Sequence, residues 1–177
     1  MHIVPATHTD IPVLKQLVNS AYRGEASRQG WTTEADIIEG EIRTDETQLA
    51  SLLQDSSGVI LTCRNAEQEI LGCVYLQEQG DKIYLGMLSV WPQQQGFGIG
   101  KQLLNAADTY AKEKRCSAVF MRVINLRTEL IAWYQRNGYL FEGVTEPFPD
   151  FGIYGQPKVP MVFWVLEKKF SQAVIDI

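Results

Sequence analysis

The stretch from Lys82 to Ile124 constrains this 177-residue chain more than any other part of it. Lys82 to Val90 reads as an apolar strand, Trp91-Pro92 ends it, and Gly96, Gly98 and Gly100 follow at once. From Gly98 to Arg115 the period changes. Ile99, Leu103, Ala106, Ala107 and Tyr110 fall on one helical stripe, and Lys101, Gln102, Asn105, Asp108 and Lys112 fall opposite. Ala118 to Ile124 is then apolar again, apart from Arg122. Strand, helix, strand in this order makes a parallel pair with a right-handed crossover. The glycines let the backbone turn tightly in front of the helix. The first helical amides have no intrahelical acceptor and lie at the positive end of the macrodipole, where a phosphate or pyrophosphate is the natural occupant.

The rest of the chain builds a sheet around that unit. His2 to Pro5 reads as a strand, and a helix follows with Pro12 in its first turn and Ile11, Leu14, Val18, Ala21 and Tyr22 at helical spacing. Further helices are expected at Thr33 to Gly40 and Asp45 to Gln54. Val59 to Arg64, Ile70 to Gln77 and Lys82 to Val90 form an antiparallel meander. Thr128 to Asn137 is a helix stopped by Gly138. Tyr139 to Val144 and Val159 to Lys168 are the last strands. The reading is an α/β (α+β) fold in the order β-α-α-α-β-β-β-α-β-α-β-β, with a mixed central sheet and helices on both faces. One domain is expected over residues 1–170, followed by a tail over 171–177 whose Val174, Ile175 and Ile177 are suited to bury against a second copy in a homodimer.

Composition removes other classes. With 45% hydrophobic and 21% charged residues the chain is not a disordered one. A net charge of −5 argues against general nucleic-acid binding and favours a cationic or neutral partner. Cys63, Cys73 and Cys116 form no CxxC pair and read as thiols of a reducing compartment, although Cys63 and Cys73 fall on neighbouring strands where they can approach each other. Only His2 and His8 are present, so no metal site is expected. The N-terminus has no signal-peptide pattern and no apolar run spans a membrane, which makes the cytoplasm the expected location.

The glycine-rich turn fits neither common phosphate motif. The Walker A pattern needs Gly where Gln95 stands and Ser or Thr where Gln102 stands. The dinucleotide fingerprint GxGxxG fails from both Gly96 and Gly98. What fits is Gln95-x-x-Gly98-x-Gly100. With it, the sequence resembles the GNAT superfamily of acyl-CoA-dependent N-acetyltransferases. Residues 88–104 carry the family's pyrophosphate-loop hallmark, and Ala132-Trp133-Tyr134-Gln135-Arg136-Asn137-Gly138-Tyr139 is similar to its second signature. The element order agrees over nearly the whole chain.

The resemblance implies acetyl-CoA as co-substrate and an amine, on a small molecule or a protein, as acceptor. Leu88, Ser89 and Val90 would run beside the pantetheine arm. Gln95, Gly96, Phe97, Gly98, Ile99, Gly100 and Lys101 would surround the pyrophosphate, mostly through main-chain N–H groups. Tyr134 would protonate the departing thiolate, and CoA would enter where Lys82–Val90 and Ala118–Ile124 splay apart. The chemistry agrees, because a phenol of pKa about 10 stays protonated where a thiol of about 8.5 must leave. Bland readings also fit: Tyr134 as packing beside Leu130 and Ile131, Lys101 as a solvated lysine, the glycines as a tight connection.

The chain also departs from the family. Many members place a Glu on the strand before the loop to activate the amine, and Lys82 to Val90 holds no carboxylate. Glu25, Glu34, Glu78, a water chain or no base at all remain open. The family's common Asn before the helical Tyr is Arg127, which reads either as a CoA-phosphate ligand or as a surface charge. Gly86 inside a strand marks a bulge or a close backbone approach. In this fold, Tyr22, Trp31 and Glu34 would line the acceptor pocket, and the aromatic loop from Pro147 to Gly155 would be a lid or a dimer contact. The rival function is a CoA-sensing or interaction module without catalysis.

Overall fold

The computed structural model describes residues 1–149 and 152–171. The tail residues Val174, Ile175 and Ile177, on which the homodimer expectation rests, lie outside the described residues. In chain order the strands are β1 (His2–Pro5), β2 (Ile38–Glu39), β3 (Gly58–Arg64), β4 (Ile70–Gln79), β5 (Lys82–Val90), β6 (Ala118–Ile124), β7 (Leu140–Pro147), β8 (Gln156–Pro157) and β9 (Val162–Lys169). The helices are α1 (Ile11–Tyr22), α2 (Gly24–Ser27), α3 (Glu46–Gln54), α4 (Ile99–Glu113) and α5 (Thr128–Arg136).

Seven strands form one mixed sheet in the order β1-β3-β4-β5-β6-β9-β7. The β5/β6 pair is parallel and the other neighbours are antiparallel, as the α4 crossover requires. Helices cover both faces. Leu103, Leu104 and Ala107 of α4 and Ile131 of α5 pack on Val74, Leu76, Ile83 and Leu85. Leu14, Leu17 and Val18 of α1 and Leu49 of α3 pack on Ile60, Cys73, Tyr75 and Met87. Cys63 and Cys73 therefore lie on neighbouring strands but on opposite faces, so the thiols do not meet and both are free and buried, as plain thiols.

A bulge in β5 decides how the sheet meets its helices. Ile83 and Leu85 point to the α4 face, yet Met87, two residues on, belongs to the α1 core. Met87 has φ +55°, and the β4/β5 register slips between Cys73 and Tyr75. After the bulge Leu88 and Val90 pack on the α4 side. The glycine anticipated as a marker sits beside it. A Cβ on Gly86 would lie 2.9 Å from the Tyr84 ring, which folds across it.

The segment between α1 and α3 departs from expectation. No helix spans Thr33 to Gly40. A short helix forms earlier, at Gly24–Ser27, and a single turn at Glu34 leads into β2. Ala35 and Ile38 are buried at helical spacing, which mimics a helix in sequence. The backbone instead pairs outward, Ile38 with Pro157 and Glu39 with Gln156. The helix ends follow the sequence more closely. Gly138 (φ +93°) closes α5, with Gly138 N–H bonding Gln135 C=O at 3.0 Å and Tyr139 N–H bonding Tyr134 C=O at 3.1 Å.

Helix α4 sits close to the sheet because Gly72 has no side chain. A Cβ there would meet the Ser89 carbonyl at 2.8 Å, Ile99 at 3.0 Å and Leu103 at 3.1 Å. The backbone oxygen cannot yield as a flexible side chain does. Gly72→Ala is expected to lower stability by roughly 1–3 kcal/mol, as overpacked cores do. Urea denaturation checks this, and an unchanged midpoint would show that α4 can retreat without loss.

Candidate active site

The parallel pair is short. Lys82 pairs Ala118, Ile83 pairs Val119 and Tyr84 pairs Phe120, and beyond them β5 and β6 separate. Two cavities occupy the wedge. One, of about 540 Å³, is walled by the glycine-rich turn, Val90, Trp31 and Trp133. The other, of about 680 Å³, lies toward α3 and the start of the Pro147–Gly155 loop. Tyr22, Leu88, Arg127, Leu130 and Tyr134 line both, so the cavities share one wall beside the bulge.

The first cavity is built to hold an anion on backbone. Gly96 and Gly98 take φ of +88° and +80°, which glycine adopts without strain. Gly98 is the N-cap of α4 and no side chain caps the turn. The first bond into α4 is Gln102 N–H to Gly98 C=O at 3.0 Å, so the amides of Ile99, Gly100 and Lys101 keep their donors for a ligand. Lys101 and Arg136 add positive charge at the same wall. Gly100 has a further role, since a Cβ there would sit 3.3 Å from Trp133. Phe97, 69% exposed, lies outside the cavity lining.

Several motif residues are engaged by the protein itself. The Gln95 side chain accepts from Trp31 N–H at 3.0 Å and donates to Val90 C=O at 3.2 Å. Ser89 is buried and its hydroxyl donates to Met87 C=O. Tyr22 donates to Leu88 C=O at 3.0 Å, and burial pushes its phenol up to about 12. The Leu88 and Val90 carbonyls thus each have one acceptor position filled and one left for a ligand.

Tyr134 stands in the shared wall. Its ring packs edge-on between Trp133 and Tyr139, with centroids at 5.1 and 6.0 Å. It is a core residue and a cavity residue at once. Burial holds its phenol well above the ordinary value, with the nearby Tyr22 adding in the same direction. The acid form therefore persists across neutral and mildly alkaline pH.

Arg127 is no surface charge: it is 6% exposed. Its guanidinium donates to Glu34 at 3.1 Å and to Thr32 Oγ1 at 2.9 Å. The other Glu34 oxygen accepts from Arg23 Nε at 2.9 Å, and Arg23 also donates to Tyr154 C=O. One buried carboxylate thus ties α1, the loop before β2 and the loop before α5. Trp31, expected in the acceptor pocket, lines the glycine-rich cavity instead, held there by Gln95 and packed 6.3 Å from Trp133. Tyr22 borders both cavities and Glu34 the larger one.

The candidate bases fare differently. Glu25 is exposed and paired with Arg28, and Glu78 pairs with Lys114 beyond α4, outside both cavities. Glu34 has both oxygens on arginines. Glu146, overlooked in the sequence, lines the larger cavity but is held by Arg122 Nε at 2.5 Å and Nη2 at 3.3 Å. Pro147, Phe148 and Pro149 wall the same cavity, so this end of the aromatic loop covers it.

Residues 16–139 match the family model described as Acetyltransferase (GNAT) family. No curated protein sequence matches the chain. Solved structures share its fold. The PaiA N-acetyltransferase of Thermoplasma acidophilum, in complex with coenzyme A, is 20% identical with a TM-score of 0.72, over 96% of this chain and 98% of that one. The ribosomal-protein-S18-alanine N-acetyltransferase of Escherichia coli is 15% identical with a TM-score of 0.71, over 99% and 97%. A spermidine N-acetyltransferase chimera of Vibrio cholerae SpeG and hSSAT is 13% identical with a TM-score of 0.69, over 96% of each chain.

Removing the Glu34 charge would leave Arg23 and Arg127 buried without their partner. Glu34→Gln is expected to cost roughly 3–5 kcal/mol of stability, the usual consequence of breaking a buried ion pair on one side. Urea denaturation measures it, and a loss below about 1 kcal/mol, the scale of an exposed pair, would show that water compensates these arginines.

Proposed function

This chain belongs to the acetyltransferase (GNAT) family, and on that premise we propose that it is an acetyl-CoA-dependent N-acetyltransferase acting on a primary amine by direct attack in a ternary complex. The observation that carries the reading is the shared wall: a cavity walled by free helix amides and a second cavity meet at Tyr134. Two substrates can then be held at once, with the transferred group between them. No cysteine lines either cavity, so a covalent acyl-cysteine route has no nucleophile among the described residues.

In this reading the amides of Ile99, Gly100 and Lys101 receive the pyrophosphate of acetyl-CoA, with Gln95, Gly96, Phe97 and Gly98 shaping the turn around it. Lys101 and Arg136 add charge. Leu88, Ser89 and Val90 present the strand along which the pantetheine arm lies. Arg127 acts as a positioning residue: with Glu34 and Thr32 it fixes the wall rather than reaching a phosphate. Tyr22 and Glu34 border the acceptor. The amine nitrogen attacks the thioester carbonyl carbon, the C–S bond breaks, and Tyr134 gives its phenolic proton to the leaving sulfur. The surplus proton on nitrogen passes to water, from which Tyr134 is reprotonated. Among the described residues that line the two cavities, each carboxylate is held by arginine, so in this reading the amine reacts in its neutral form.

No helix among the described residues is long and apolar enough to cross a membrane. The three cysteines are free, which supports a reducing compartment such as the cytoplasm. The alternative, a CoA sensor without turnover, is separated by thiol release, since a sensor binds CoA and releases none.

Acetyl-CoA is expected to bind at micromolar concentration by calorimetry and to stabilise the fold by about 2.7 kcal/mol at a hundredfold excess over Kd. Unchanged heats and melting temperature at saturating acetyl-CoA would remove the reading. Tyr134→Phe is expected to lower kcat by roughly a hundredfold, in the range of general acid catalysis, with little change in KM for acetyl-CoA. The elevated phenol predicts a sign for the pH profile as well. Tyr134 remains the protonated donor as pH rises, so kcat shows no alkaline fall near pH 10, about where an ordinary phenol ionises. A fall near or below about pH 10 that vanishes in Tyr134→Phe would contradict the elevated phenol.

A further inference from the structure

The larger cavity is cationic in a protein that is acidic overall. Among the described residues Arg23, Arg43, Arg122 and Arg127 line it, against Glu34 and Glu146. Glu34 is shared between Arg23 and Arg127, and Glu146 is held by Arg122. Arg43 has no carboxylate partner among the described residues. Its guanidinium lies over the Tyr22 ring at 5.4 Å from the centroid, and Arg127 lies over the same ring at 5.8 Å. Arg127 also keeps a buried Nε with no hydrogen-bond partner. Cationic capacity is therefore left over beside the wall that contains Tyr134. Apart from Gln48, the remaining lining is apolar and aromatic, including Ile38, Leu52, Met121, Phe148 and Phe163.

We infer that the acceptor is an amine that also carries a carboxylate, a free amino acid with an apolar side chain, whose carboxylate is bound by Arg43 while its amine faces Tyr134. This rests on the acetyltransferase reading and names its substrate class. A guanidinium with open donors matches a carboxylate in a two-pronged pairing. A polyamine would bring further ammonium groups among arginines, and among the described residues of this cavity both carboxylates, Glu34 and Glu146, are already held by arginine. The same surplus of positive charge disfavours an ammonium ion and so favours the neutral, nucleophilic amine. That supplies what a general base would otherwise supply, and it accounts for a site in which each carboxylate among the described residues is bound to arginine. The apolar walls leave room for a side chain of matching character.

The test measures thiol release from acetyl-CoA with the purified protein. The acceptors are the twenty proteinogenic L-amino acids, their carboxamides, the decarboxylated amines, spermidine and a lysine-containing peptide. An apolar amino acid is expected to give the highest kcat/KM, roughly ten- to hundredfold above its own carboxamide, the scale of a hydrogen-bonded charge pair. Arg43→Gln is expected to close that margin by raising KM for the acid. Spermidine, the peptide or a decarboxylated amine outpacing every amino acid would overturn the inference and leave the acetyltransferase reading intact. A margin unchanged in Arg43→Gln would overturn the assignment to Arg43. Tight acetyl-CoA binding with no thiol release from any amine would overturn the transferase reading, and this inference with it.

Discussion

A parallel strand pair that stops after Tyr84 and Phe120 leaves a wedge in the middle of the sheet, and the rest of the site follows from that wedge. The bulge at Met87 opposes continued pairing and reverses which side of β5 faces α4. Backbone polar groups that no longer pair across strands must find other partners. Some find side chains, as Leu88 C=O finds Tyr22 and Val90 C=O finds Gln95. The positive φ at a methionine is a local cost that the packing of Met87 on α1 and α3 sustains. Helix α4 begins at the mouth of the wedge, so its free amides and the open strand edge face one space.

Charge divides that space in two. On one side, positive charge is delivered by backbone, with Lys101 and Arg136 behind it. On the other it is delivered by arginine side chains, only part of which are neutralised. The wall between them is held by Glu34, which binds Arg23 just after α1 and Arg127 from the turn before α5. A loop with little secondary structure of its own is thereby fixed to both halves of the protein. The overall charge of −5 gives no hint of this local surplus, because net charge describes steering over the whole surface rather than the lining of one cavity.

The β5–α4–β6 unit was readable because three local signals agree there: a strand period, a glycine turn and a helical stripe. Gly138 ends α5 for the same kind of local reason. Tyr134 was readable as a residue of interest, although its double place in core and cavity needed three dimensions. The segment from Arg23 to Gly40 was not readable in the same way. Its shape is set by partners far along the chain: Glu34 with Arg127, Trp31 with Gln95, Ile38 with Pro157. Spacing within the segment imitates a helix that those distant contacts forbid. The burial of Arg127 has the same origin, since a lone arginine before a helix looks solvated until its carboxylate is found. Arg136 lay inside the second signature with no role of its own and Glu146 lay in no motif, so only the cavity walls reveal what they do. Arg136 does follow Trp133 by one helical turn, a faint signal that the two share a face.

The central claim is that the diphosphate of CoA rests on the main-chain donors at the start of α4 while its sulfur reaches the wall occupied by Tyr134. A crystal structure of the protein soaked with CoA tests this most directly. The account predicts diphosphate oxygens within hydrogen-bond distance of the Ile99, Gly100 and Lys101 amides and the thiol beside the Tyr134 hydroxyl. Diphosphate density elsewhere, or a sulfur remote from Tyr134 with the glycine turn unliganded, would contradict it.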